Sequence, residues 1–180
     1  DQLLFRDAVR DMLAGECTPE AVRATWASDT GRVPGLWSAL GALGVLGMTA
    51  SEERGGLGMN ELDLLLPLEE TGRAALPEPI VEHTAVAIPL LAELGDSART
   101  VAKEWIPRAA SGEATLTVGL GDGPFVANAD SADLLLLAHE GAIYAQPAAT
   151  ARLTREPSVD GSRRLAVVRS EEHTSELQSR

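Results

Sequence analysis

The hydrophobic period of this chain changes at Gly112, and that break constrains the fold more than any other feature. Before it, apolar residues recur at helical spacing; after it, they come in short runs parted by turn residues. The 180 residues suffice for one ordinary domain, or for one domain and part of a second. The expected class is therefore α+β, with an all-α bundle over residues 1–112 and a partial β domain over 113–168. Aromatic residues make up only 3% of the chain, so the core of both parts must be aliphatic.

In the helical part, residues 3–14 place Leu3, Leu4, Phe5, Ala8, Val9, Met12 and Leu13 on one face. Thr18 followed by Pro19 reads as a hydroxyl cap with proline at the first helical position. Asp29, Thr30 and Gly31 read as a turn. Pro34 opens a helix with Leu36, Trp37, Leu40 and Leu43 facing inward. A loop containing Gly55, Gly56 and Gly58 turns the chain, and Asn60 caps a helix that runs to Arg73 with a kink expected at Pro67. Residues 77–94 are apolar almost all round, which predicts a helix buried on more than one side, interrupted by Pro89. Gly95 ends it, and Asp96 or Ser97 caps the next helix, which carries Val101, Trp105 and Ile106. Beyond Gly112, residues 114–120, 125–127, 133–139, 142–146 and 164–168 read as strands of a small antiparallel barrel or sandwich that does not close.

Charge and cysteine usage restrict the function classes. A net charge of −12 repels a phosphate backbone and an anionic membrane, so neither nucleic acid nor membrane is an expected partner. No apolar run approaches the roughly 18 residues of a membrane span. The single Cys17 excludes an internal disulfide and fits a reducing compartment, so a cytoplasmic location is expected. No Cys/His/Asp cluster has metal-ligand spacing, and no serine sits in a nucleophile elbow. Gly119-x-Gly121-x-Gly123 is followed by Pro124 and a strand rather than by a helix, so it reads as a turn and not as a dinucleotide loop. The neighbours Glu52 and Glu53, like Glu69 and Glu70, do not converge on a helix and read as solvated or capping groups, with Glu70 and Arg73 at pairing distance. His83, in the apolar helix, reads more readily as a satisfied core histidine than as a ligand-contacting one. His139 ends a strand and is expected to be exposed, and His173 belongs to the tail.

Three patches, in order, carry a family resemblance. The first is Leu43-Gly44-Val45-Leu46-Gly47 followed by Glu53-Arg54-Gly55-Gly56-Leu57-Gly58. The second is Leu68-Glu69-Glu70-Thr71-Gly72-Arg73, with Pro77, Pro79 and the apolar helix to Leu94-Gly95. The third is the run ANADSADLLLL at residues 127–137, with Ser158-Val159-Asp160-Gly161-Ser162-Arg163-Arg164-Leu165 further on. Their order and spacing resemble the FAD-dependent acyl-CoA dehydrogenase family.

That resemblance implies an amino-terminal helical domain, a middle β domain, and a carboxy-terminal four-helix domain expected to be missing here. It implies FAD as cofactor, an acyl-CoA substrate, α,β-dehydrogenation, and a homo- or hetero-oligomer of such subunits in fatty acid or sterol side-chain breakdown. The family's carboxylate base belongs to the last domain, so no catalytic residue is assigned and no metal is expected. By position, Gly119, Leu120, Gly121 and Asp122 are the candidates for flavin contact, and His83 and Thr84 for substrate contact. The family's Thr-Glu and Gly-Ser-Asp segments are replaced by Thr117-Val118-Gly119-Leu120-Gly121-Asp122-Gly123-Pro124, which lacks the hydroxyl donors a flavin ring would meet. The resemblance thus admits two readings: part of a flavoenzyme, or a non-catalytic partner subunit without flavin and base. Residues 169–180 share no pattern with the rest and resemble a translated sequencing adapter, so they are expected to be a non-native tail.

Overall fold

The computed structural model describes residues 2–121, 123–170 and 175–177. Six α-helices come first: α1 (Gln2–Glu16), α2 (Pro19–Thr25), α3 (Leu36–Ala42), α4 (Glu61–Arg73), α5 (Ile88–Glu93) and α6 (Gly95–Ser111). Local chemistry fixes their starts. The Thr18 hydroxyl accepts the Ala21 N–H ahead of Pro19, and Asn60 and Asp63 form a reciprocal capping box on α4. Pro67 lies buried within α4, which continues past it to Arg73. α6 opens from Gly95 at φ 66° with Leu94 at the N-cap position, not Asp96, while the Ser97 side chain lies outside the described residues. Asp96 instead pairs with Arg99 one turn on.

Two helical expectations are corrected. α1 buries Val9 and Leu13 fully, with Phe5 and Met12 partly covered, whereas Leu3, Leu4 and Ala8 are exposed. At 3.6 residues per turn those three lie roughly a quarter turn or more from the buried stripe. The helix expected from residue 77 opens later, because each residue preceding Pro77 and Pro79 is held out of the α region. It then starts as a π-helical turn, Val81–Ala87, in which the Ile88 N–H reaches back five residues to the His83 carbonyl. Pro89 has no N–H for the Thr84 carbonyl, and the Thr49 hydroxyl donates to that oxygen at 2.8 Å instead.

The β part has two sheets. The first, in order β1 (Leu116–Gly119), β3 (Leu134–His139), β4 (Ala142–Pro147) and β7 (Ser175–Leu177), faces the second, in order β2 (Phe125–Ala127), β6 (Leu165–Ser170) and β5 (Ala151–Glu156). β1 and β3 run parallel, unlike the other pairings, because the chain crosses to the second sheet for β2 before returning beside β1. β6 extends to Ser170, past the expected boundary at 168, and Ser175–Leu177 pair with Ile143–Ala145 on β4.

Three apolar clusters make the core. One fills the bundle around Leu13, Leu36, Leu40, Leu46 and Met48. A second runs from α5 and α6 into β1, β3 and β4 through Leu91, Ile106, Leu116 and Leu136, and so joins helices to sheet. A third, with Val126, Leu135 and Ala166, lies between the sheets. No helix among the described residues is long and apolar enough to cross a membrane.

Candidate functional site

The glycine loop closes on itself through its backbone. The Leu57 and Gly58 N–H groups donate to the Gly47 and Ala50 carbonyls at 3.1 and 2.8 Å, and the Met59 N–H donates to Met48 at 2.9 Å. A Cβ on Gly56 would lie 2.2 Å from the Ala50 carbonyl oxygen and 2.4 Å from that of Gly47. Only glycine fits there, so the loop is a packing element that supports α4 and the π-helical turn. Arg73 pairs with Glu69 at 2.6 Å and approaches Glu70 at 3.8 Å, an arrangement for stability rather than acid–base work.

His83 sits where helix turns into strand. It has no exposed surface. The Leu116 N–H donates to its Nδ1 at 2.9 Å, so Nε2 carries the proton and donates to the Ala109 carbonyl at 3.2 Å. Burial pushes its pKa down to about 4, which keeps the ring neutral. Both nitrogens are engaged, so the ring has no polar atom left for a ligand, and its role here is to fasten β1 to α6. Thr84 is equally buried, and its hydroxyl donates to the Leu46 carbonyl at 3.4 Å.

β1 leads directly to a cleft of about 750 Å³ at the open end of the two sheets. Gly119, Leu120 and Gly121 form one wall with Gly123 and Pro124; Leu137 to Gly141 and Val168 form the other. Asp122, named with them from the sequence, lies outside the described residues. His83 and Thr84 do not line this cleft. Gly119 allows a close approach of strands, since a Cβ there would lie 2.6 Å from Val126.

The polar side chains in the described lining are His139 and Glu140, both exposed and 3.8 Å apart. The Thr117 hydroxyl, the nearest one on β1, donates to the Ala127 carbonyl at 2.7 Å across the sheets. Among the described residues the cleft therefore offers backbone amides and apolar walls, without a hydroxyl or guanidinium in its lining. Of the described lining, only His139 and Glu140 could offer a flavin a polar side chain. Among the described residues no cluster of three metal-ligating side chains occurs.

Sequence reasoning missed a buried polar group at the junction of the two parts. Arg32, in the loop before α3, reaches the Thr115 hydroxyl at 3.1 Å and the Ser131 carbonyl at 2.7 Å. It lies over the Trp37 ring at 5.1 Å. Glu78, between Pro77 and Pro79, accepts the Val33 N–H at 3.1 Å, and its side chain is fully buried. Nearby, Arg164 forms a buried pair with Asp130 at 2.5 Å and donates to the Asp29 carbonyl at 2.7 Å. A lone charge flanked by prolines inside an apolar run was the signal for Glu78.

The description "Acyl-CoA dehydrogenase, N-terminal domain" matches residues 1–113. Acyl-CoA dehydrogenase IpdE2 of Mycobacterium tuberculosis is 32% identical over 96% of the chain and 52% of its own length. The protein of the same name from Mycolicibacterium smegmatis is 34% identical over 92% and 50%. The chain thus spans about half the length of these curated relatives. Among solved structures, the ChsE4-ChsE5 complex from Mycobacterium tuberculosis superposes at TM-score 0.80 with 20% identity, covering 97% of this chain and 56% of that one. Glutaryl-CoA dehydrogenase from Mycobacterium smegmatis gives 0.76 at 18% identity, over 99% and 56%. The glycine loop, the bundle it supports and the two-sheet fold that follows make this chain a member of the acyl-CoA dehydrogenase family.

Proposed function

We propose that this chain is part of an acyl-CoA dehydrogenase assembly that performs FAD-dependent α,β-dehydrogenation of an acyl-CoA thioester. Within it the chain acts as a non-catalytic partner, supplying scaffold and an apolar wall. The observation that carries this reading is the cleft beside Gly119, Leu120 and Gly121. It has the position the family resemblance assigns to the flavin, yet its described lining holds no hydroxyl or guanidinium, and its polar side chains there, His139 and Glu140, are exposed. Glu140, the acid in its described lining, is exposed and lies 3.8 Å from His139 at the rim. What the residues of this chain can do is exclude water and present backbone amides. The fold it shares with a solved two-protein complex supports a paired assembly, and the buried, unpaired Cys17 agrees with a reducing, cytoplasmic setting.

The reading is tested by purifying the chain alone and with a flavin-binding acyl-CoA dehydrogenase encoded beside it. The expected result is no stoichiometric flavin absorbance and no acyl-CoA oxidation alone, with both present in the pair. Stoichiometric FAD and turnover by the chain on its own would overturn the partner role and leave the alternative, a flavoenzyme in its own right.

A further inference from the structure

The junction between bundle and sheets holds its charged groups in an unusual way. Arg32 connects the loop before α3 to two points on the β side: Thr115, just ahead of β1, and Ser131, in the turn between β2 and β3. Its buried counter-charge is Glu78, in the segment between α4 and the π-helical turn. The two are not well mated: Arg32 Nε and Glu78 Oε2 lie 3.5 Å apart, and neither atom has a hydrogen-bond partner among the described residues. Glu78 Oε1, by contrast, accepts the Val33 N–H. The carboxyl is thus anchored by one oxygen, and the other is sealed from water beside a misaligned guanidinium. An ion pair in that state is not repaid for its lost hydration.

We propose that Arg32 and Glu78 form a proton-operated clasp across the junction of bundle and sheets, closed while Glu78 carries a proton and loosened when it is ionised. In the closed form the neutral carboxyl loses little on burial and still accepts from Val33, while Arg32 keeps its two bonds to the β side. Once ionised, Glu78 regains full hydration only if the junction opens to water, so opening releases the proton. Burial raises the Glu78 pKa to about 7 against the pull of Arg32, which puts the change in the neutral range. Asp133 and Asp130, on the β side, act on Arg32, as does Arg164 with the opposite sign. The Cys17 thiol, at the end of α1, is pushed up by its own burial and by Glu78, and His83 stays neutral.

The experiment is amide hydrogen exchange at Val33 and Thr115 in the full chain between pH 6 and 8, beside the E78Q variant, which keeps the shape of the neutral carboxyl. After correction for intrinsic exchange, the opening equilibrium of the native chain relative to E78Q should rise about tenfold over that range. Any share from His83 is common to both proteins and cancels. R32M, which removes the charge that lowers the Glu78 pKa, should carry the rise to higher pH. A ratio that stays flat from pH 6 to 8 would overturn the clasp. So would an E78Q junction that opens more readily than the native one at pH 8, since the ionised carboxylate would then be the closing form.

Discussion

Two adjacent glycines show how differently one residue type can be required. Gly55 has φ 81° with open space around its Cβ position, whereas Gly56 has an unexceptional φ and carbonyl oxygens where a Cβ would stand. Gly55→Ala should cost about 1–2 kcal/mol, the strain of a left-handed alanine. Gly56→Ala should cost about 1–3 kcal/mol or more, since backbone rather than a flexible side chain must move. Chemical denaturation of both variants tests the order; equal losses would mean that the loop yields more easily than its hydrogen bonds imply. The glycine cluster was legible as a turn between helices, but sequence did not separate conformational need from packing need, because both write the same letter. His83 was legible in the same partial way. Its burial followed from the apolar pattern, while its partners Ala109 and Leu116 lie far along the chain and on either side of the period break, which no local pattern encodes.

At the scale of elements, boundaries set by local chemistry were readable and those set by distant pairing were not. The Thr18 and Asn60 caps and the β2 strand fall where side-chain chemistry and alternation place them. β5 escaped notice because its alternation lasts only from Ala151 to Thr154 before the exposed Arg155 breaks it, and its pairing with β6 makes it a strand. The π-helical turn escaped because it answers to Pro89 and to the Thr49 hydroxyl together. The capping box gives a direct check on the readable class. Asn60→Ala removes the acceptor for the Leu62 N–H at 2.9 Å and should destabilise the chain by about 0.5–2 kcal/mol, with fraying confined to the first turn of α4. Exchange protection lost along the whole of α4 would show that the cap governs the helix rather than its end.

For the molecule as a whole, two buried titrating groups a few residues apart oppose each other. His83 falls from an ordinary 6.5 to about 4, so the unfolded chain binds a proton that the folded one refuses. That contribution to stability is complete above pH 6.5 and is lost as pH drops toward 4. Glu78 rises from 4.5 to about 7, so here the folded chain binds the extra proton. Its contribution is complete below pH 4.5 and is lost as pH climbs through 7. Each span amounts to roughly 3 kcal/mol, and over pH 4.5 to 6.5 the two slopes cancel. Their combined effect on the native chain is therefore close to flat through mildly acidic pH, and substitutions should expose what it hides. In E78Q, stability should rise between pH 4 and 6.5, relative to the native chain, as the His83 slope appears alone. In His83→Leu, stability should fall as pH rises from 4.5 to 7, on top of about 1–3 kcal/mol for each partner left unpaired at Ala109 and Leu116. Urea denaturation across pH 4 to 8 for the three proteins measures all of this. Parallel profiles would mean that neither buried group titrates differently in the folded and unfolded chains, and the electrostatic reading of the bundle–sheet junction would fall with them.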